Sequence, residues 1–136
     1  MTDISLDKDE RDILDWVESR GDHMIDTVKT WSKINSGSRN AEGLETMRKV
    51  LSEAFSELEG EVSAVELKPS TTVEVDGEIR EVPYTPSMKV SKRPEAPVRI
   101  VLTGHHDTVF PKEAGFQDWR LLDDDTLNGP GVADMK

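Results

Sequence analysis

The chain has 136 residues, which is enough for about one domain with a single core of ordinary size. Its 17 basic and 28 acidic residues give a net charge of −11, which argues against nucleic acid or an anionic membrane as a partner because both select basic surfaces. The sequence contains no cysteine, so disulfide frameworks and thiolate metal sites are excluded, and nitrogen and oxygen atoms must hold any metal ion.

The first third of the chain predicts helix. Asp7 followed by Glu10 is typical of a capped helix start, and apolar residues then recur in steps of three, four and seven as far as Trp31. Gly21 leaves open whether this segment forms one helix or two. The N-terminus is acidic and lacks the apolar stretch of a signal peptide, and no apolar run is long enough to cross a bilayer, so we expect a soluble cytoplasmic protein.

A loop and a second amphipathic helix are predicted next. The sequence NSGS at residues 35–38 predicts the loop, and Asn40 is the expected N-cap of the helix. Gly60 is expected to close this helix. One face of the helix carries the apolar residues Leu44, Met47, Leu51, Ala54, Phe55 and Leu58.

Beyond that helix the apolar period changes to two, which predicts strands. The first strand is expected near residues 62–67. Residues 72–75 and 78–82 flank Asp76 and Gly77, a dipeptide that favours a type I′ hairpin turn. A β-hairpin is therefore predicted at this point.

The segment that follows predicts the fold class. Residues 83–97 contain four prolines and are expected to form a connecting loop. Residues 98–103, VRIVLT, are almost continuously apolar, which is typical of a central strand covered on both faces. Helices followed by strands of this kind predict an α/β fold, with a helix-covered mixed sheet.

The first candidate site lies at the end of that apolar run, where residues 104–109 read GHHDTV. In extended backbone, residues two apart share a side, so His105 and Asp107 point one way and His106 points the other. An imidazole that binds a metal usually donates its second N–H to a carboxylate, which fixes its tautomer. The alternative is a hydrogen-bonded loop pair without a metal, which is the more frequent role of a histidine beside an aspartate. No role is assigned to His106.

The second candidate site begins with NGPG at residues 128–131, a constrained loop that leads to Asp134. A carboxylate can bridge two divalent ions because each oxygen can bind one of them. The alternative is a surface turn followed by an aspartate that caps a helix. The acidic run at residues 123–125 lacks the spaced oxygen pattern of a calcium loop and is expected to be a solvated hairpin turn.

Taken together, GHHDTV at residues 104–109 and GPGVADMK at residues 129–136 resemble the zinc-dependent family of carboxypeptidase G, acetylornithine deacetylase and succinyl-diaminopimelate desuccinylase. The carboxypeptidase G (glutamate carboxypeptidase) branch is the most similar, and the spacing 134 − 105 = 29 residues suits it. INSGS at residues 34–38 resembles the segment that opens the family's catalytic domain. The resemblance implies that residues 1–136 are the N-terminal part of a zinc exopeptidase-like catalytic domain, without its remainder and without the lid or dimerisation domain.

The same resemblance implies a function for three residues. His105 would bind one zinc ion, Asp134 would bridge two zinc ions, and Asp107 would be the active-site aspartate that hydrogen-bonds His105. Cobalt or manganese are the expected substitutes for zinc. The implied reaction is hydrolysis of an amide bond in an N-acyl amino acid or peptide, and a homodimer is compatible with the complete protein.

Two hypotheses of different classes remain open at this point. In the first, the chain belongs to a metal-dependent amidohydrolase whose general base and further ligands are expected beyond Lys136, so that the 136 residues alone are inactive. In the second, the chain is a non-catalytic interaction or metal-binding module that keeps the front half of the fold.

Overall fold

The computed structural model of the chain describes residues 5–134. Within this range the chain forms three helices and six strands, so it combines helix and strand as the predicted α/β class requires. All strand pairs are antiparallel, and they form three separate two-stranded sheets. Over these residues, every helix is too short or too polar to span a bilayer.

The first two helices settle the question left open at Gly21. Helix α1 (Lys8–Ser19) begins as predicted, since the Asp7 carboxylate accepts from the Glu10 N–H at 2.8 Å and the Glu10 carboxylate accepts from the Asp7 N–H at 2.9 Å. Helix α2 (Gly21–Ser32) follows directly. Arg20 separates the two with ψ at 0°, which no continuous helix adopts.

The third helix carries the apolar core. Helix α3 (Ala41–Ser56) begins at the predicted cap, where the Asn40 side chain accepts from the Gly43 N–H at 3.2 Å. It ends at Ser56, earlier than the predicted stop at Gly60, because i→i+3 hydrogen bonds tighten the chain beyond it. The buried apolar residues of this face, which form the core of the described chain, are Leu44, Met47 and Leu51.

Helix α3 contacts a two-stranded sheet whose strands are distant in the sequence. Strand β1 (Glu61–Val65) matches the predicted first strand, and it pairs with β4 (Ser87–Ser91). The prediction that residues 83–97 form only a connecting loop is therefore wrong. The five residues of β4 lie between Pro86 and Pro94, so each of them keeps the backbone N–H that pairing with β1 requires.

The predicted hairpin around Gly77 is confirmed. Strands β2 (Ser70–Val73) and β3 (Ile79–Val82) pair across it. Gly77 adopts φ of +85°, and its N–H donates to the Glu74 carbonyl at 2.9 Å. The predicted type I′ turn is wrong, because it requires positive φ at Asp76 as well, and Asp76 does not adopt it.

The third two-stranded sheet is a hairpin that contains the acidic run. Strands β5 (Arg120–Asp123) and β6 (Thr126–Asn128) pair antiparallel, with an irregular register near the turn. The connecting residues 124–125 are exposed, and the Asp125 N–H donates to the Asp123 carboxylate at 2.9 Å. The prediction of a solvated hairpin turn is confirmed.

The predicted central strand at residues 98–103 is wrong for this chain. The segment forms no strand within residues 5–134, and its apolar side chains are 75–91% exposed (Val98, Ile100, Val101 and Leu102). A strand needs a neighbour for its N–H and C=O groups, and the six strands pair off without taking this segment as a third member. The predicted helix-covered mixed sheet therefore does not form among the described residues.

Candidate metal centre

A short parallel contact positions the GHHDTV segment. The Thr108 N–H donates to the Ser36 carbonyl at 2.9 Å, and the Ser38 N–H donates to the Thr108 carbonyl at 2.9 Å, so that Gly37 and Thr108 form a bridge. Ser36 and Thr108 are buried. Residues 36–38 therefore hold the backbone next to Asp107 in place.

The Asn35 side chain ties this loop to the following segment. Its amide nitrogen donates to the Phe110 carbonyl at 3.2 Å and to Gln117 Oε1 at 2.7 Å. Its amide oxygen accepts from the Gly37 N–H at 3.2 Å and from the Asn40 side chain at 2.9 Å. One side chain thus links the cap of α3, the loop at residues 36–38 and residues 110–117.

The three predicted site residues meet at one imidazole ring. His105 Nδ1 lies 3.1 Å from Asp107 Oδ1, and His105 Nε2 lies 3.1 Å from Asp134 Oδ1. The ring is half exposed, and the Asp134 side chain is largely exposed. The structure therefore brings together two residues that are 29 positions apart in the sequence. Their roles as metal ligands and as active-site aspartate stay predictions.

The contacts within this cluster shift the pKa of His105 and the pKa of Asp107. A neutral imidazole has one N–H and can donate to only one carboxylate, whereas the protonated ring donates to both. The hydrogen bond with Asp134, and then the contacts with Asp107, accordingly raise the pKa of His105, against an opposing effect of burial. The hydrogen bond from Ser38, and then the contact with His105, lower the pKa of Asp107.

Ser38 is a site residue that the sequence analysis missed. Its hydroxyl donates to Asp107 Oδ2 at 2.5 Å, so Asp107 is held between Ser38 on one oxygen and His105 on the other. The signal in the sequence was the INSGS segment, which predicted a loop and resembled the segment that opens the family's catalytic domain, but which gave no role to Ser38. Nothing in its spacing indicates which of its hydroxyl groups reaches a carboxylate 69 residues further along the chain.

The neighbouring histidine has a different environment. His106 is partly buried, and its Nε2 atom is buried without a hydrogen-bond partner in the part of the chain that the structure describes. Desolvation lowers the pKa of His106, and the nearby charge of Arg48 acts in the same direction. These two effects outweigh the opposing charge of Asp107 and favour the neutral ring.

Zinc, which the resemblance implies, can be tested against the donor atoms present. Imidazole nitrogen and carboxylate oxygen are both ordinary zinc ligands. Two such ligands on a tetrahedral ion lie about 3.3 Å apart, and the His105 Nε2 and Asp134 Oδ1 atoms are separated by 3.1 Å. Asp107 on Nδ1 is the carboxylate that usually orients a metal-binding imidazole. These atoms fit zinc.

The ligand set within the described residues is small. From residue 5 to residue 134, no group of three or more histidine, cysteine, aspartate or glutamate side chains is arranged to hold a metal ion. A catalytic zinc usually has three protein ligands and a structural zinc has four. His105 and Asp134 therefore fit as two members of a ligand set, and water would fill the other positions around an ion bound by them alone.

A cleft lies beside this cluster. It has a volume of about 650 Å³, and its walls include Ser38, Arg39, Val109 and Lys112. Ser38 thus faces both the cleft and the Asp107 carboxylate. A small molecule in this cleft would lie against Ser38, whose hydroxyl donates to the Asp107 carboxylate.

A scan of the sequence against protein-family models and a search of curated proteins both found no match. The functional interpretation therefore depends on the geometry of the cluster and on the motif resemblance.

Proposed function

We propose that the chain belongs to a metal-dependent amidohydrolase of the carboxypeptidase G type, with a zinc exopeptidase-like catalytic domain. One observation supports this proposal above the others: a single imidazole, His105, lies 3.1 Å from each of two carboxylates, Asp107 and Asp134, that the motifs predicted as its partners. A loop pair without a metal-binding role would account for Asp107, which is two residues away. It does not account for Asp134.

Each residue has a defined part in this proposal. With an ion bound, Asp107 would accept the Nδ1–H of His105 and so leave the Nε2 lone pair for the ion on the side of Asp134. His105 Nε2 and one Asp134 oxygen would hold a zinc ion, and the second Asp134 oxygen would be free for another. A bound zinc ion lowers the pKa of a coordinated water and polarises the scissile carbonyl. The substrate would be an N-acyl amino acid or a peptide, bound in the adjoining cleft.

Zinc binding tests the proposal directly. We expect calorimetry to show weak binding of one zinc ion by the intact chain, since two protein ligands are fewer than a complete site provides. His105→Ala and Asp134→Asn should each weaken that binding at least about tenfold. His23→Ala is the matched control, because His23 is exposed on α2 and takes no part in the cluster. Equal affinities for wild type and His105→Ala would refute the proposed site.

Turnover is a separate question. We expect the 136-residue chain with zinc to hydrolyse neither N-acyl amino acids nor folate-type glutamate amides, because His105 and Asp134 supply two protein ligands whereas a catalytic zinc usually has three. Hydrolysis that disappears in His105→Ala would contradict this expected inactivity and would strengthen the assignment as a hydrolase.

A non-catalytic metal-binding or interaction module is the second candidate. The exposed apolar segment at residues 98–103 favours it, because such a surface is typical of a site that another protein covers. The coding sequence after residue 136 distinguishes the two functions. A pair of adjacent glutamates and a distal histidine would identify the hydrolase, whereas an immediate stop codon would favour the module.

A further inference from the structure

The Ser38 hydroxyl lies outside both metal-site motifs and yet contacts the Asp107 carboxylate. We propose that Ser38 is a positioning residue that fixes the orientation of Asp107 and, through it, the tautomer of His105. The part of this inference that concerns metal affinity rests on the proposed function. The part that concerns the tautomer does not.

The two oxygens of Asp107 are engaged on opposite sides. Oδ2 accepts from Ser38, and Oδ1 lies 3.1 Å from His105 Nδ1. The terminal torsion of an aspartate is broad and roughly two-fold, so the side chain does not fix its own carboxylate plane. With both contacts present, the carboxylate cannot rotate without breaking one of them. Ser38 therefore supplies the restraint that the aspartate lacks.

Ser38 is itself held by the backbone. Its N–H donates to the Thr108 carbonyl at 2.9 Å, within the bridge that joins the loop to the site segment. Its hydroxyl also lies 3.1 Å from that carbonyl, but a hydroxyl has one proton, and the shorter contact with the charged Asp107 takes it. The oxygen of Ser38 is thus a fixed point. The His105 ring is 49% exposed, and its Nδ1 atom lies 3.1 Å from the Asp107 carboxylate and 3.2 Å from the Asp107 backbone carbonyl.

Removal of the Ser38 hydroxyl should change the tautomer of His105 more than it changes the stability of the fold. Without this hydroxyl, the Asp107 carboxylate can turn away from Nδ1, which leaves the uncharged Asp107 carbonyl at 3.2 Å as the acceptor on that side. The charged Asp134 carboxylate then competes for the ring proton at Nε2, so the neutral ring can carry its proton on either nitrogen. A proton on Nε2 blocks the lone pair that faces Asp134. Loss of an orienting outer contact of this kind lowers metal affinity by about 10- to 100-fold.

Three single variants test the inference: Ser38→Ala, Ser38→Thr and Ser36→Ala. Ser38→Thr keeps the hydroxyl. Ser36→Ala is the matched control, because Ser36 is buried in the same loop and its hydroxyl has no partner among the described residues. Ring ¹⁵N shifts of His105, measured without metal in alkaline buffer where the ring is neutral, report the tautomer. Calorimetry reports the zinc affinity.

We expect wild type, Ser38→Thr and Ser36→Ala to keep the Nδ1–H tautomer, and Ser38→Ala to show a mixture of tautomers and at least about tenfold weaker zinc binding. An unchanged tautomer in Ser38→Ala would overturn the inference, as would a mixture that Ser38→Thr also shows. If no variant, nor wild type, binds zinc, the proposed function fails while the ¹⁵N shifts still decide the role of Ser38.

Discussion

Two segments lead into the candidate site, and their environments are opposite to what their side chains suggest. Residues 36–38 are small and polar, yet Ser36 is fully buried and the backbone pairs with Thr108. Residues 98–103 are mostly apolar, yet their large side chains are 75–91% exposed and the segment joins no sheet. Apolar composition therefore specifies burial only where the chain also provides a surface to cover it.

The exposure of apolar residues also increases the total accessible surface area of the chain. The chain exposes 11013 Å², whereas a folded monomer of 15.2 kDa is expected to expose about 7,100 Å². Among residues 5–134, the buried apolar side chains all lie on one face of α3. Exposed apolar segments of this kind favour self-association, so we expect the isolated chain to be marginally stable and prone to aggregate.

The largest expected effect compares one residue from each kind of environment. Met47→Ala should reduce the free energy of unfolding by about 2–5 kcal/mol, because Met47 is completely buried on the apolar face of α3. Leu102→Ala should change it by less than about 0.5 kcal/mol, because Leu102 is 91% exposed. Urea titrations followed by circular dichroism measure both. Equal losses would mean that residues 98–103 are covered in solution.

A somewhat smaller effect is expected from two glycines that lie near helix N-termini. A Cβ on Gly43 would lie 1.7 Å from the Asn35 carbonyl oxygen, so Gly43→Ala must push the loop away from α3 and should cost about 1–3 kcal/mol. Gly21→Ala is the matched control in α2, where a Cβ meets no atom within 4 Å, and it should be neutral or stabilising by up to about 1 kcal/mol. Thermal melts of the two variants test the difference. A neutral Gly43→Ala would show that the loop is not tightly held.

The smallest expected effect is a pH dependence confined to the ordered site. His105 has a raised pKa in the folded chain, so its contribution to stability is complete below about pH 6.5 and is lost as the pH rises through the raised value. Asp107 has a lowered pKa, so its contribution is present above about pH 3.9 and is lost as the pH falls through the lowered value. The melting temperature of wild type relative to His105→Gln should therefore be highest between these limits. A difference that is independent of pH would contradict the contacts of His105.

Much of the local structure could be predicted from the sequence because its causes are local. The capping box at Asp7, the cap at Asn40 and the hairpin at Gly77 each depend on residues within a few positions of one another. Strand β4 was missed because its partner lies more than twenty residues away, and four prolines around it indicated a loop. The burial of residues 98–103 was predicted wrongly because no periodicity tells whether a covering surface exists.

The contacts of the candidate site also divide into those with local causes, which could be predicted, and those between distant residues, which could not be predicted from periodicity. The pairing of His105 with Asp107 could be predicted from alternation along an extended backbone. The approach of Asp134 came from the motif resemblance, since periodicity does not bring residues 29 positions apart together. Ser38 could not be found in either way, because its contact with Asp107 depends on how the loop at residues 36–38 lies along residues 107–109.

The contact of the His105 ring with both Asp107 and Asp134 affects how the site would take up a cation. Below the raised pKa of His105 the metal-free ring is protonated, and its Nε2–H then faces Asp134 in the place that a divalent ion would take. Uptake of the ion must therefore displace that proton into the solvent. The heat of zinc binding would then vary with the ionisation enthalpy of the buffer, and titration in two buffers would count the protons released.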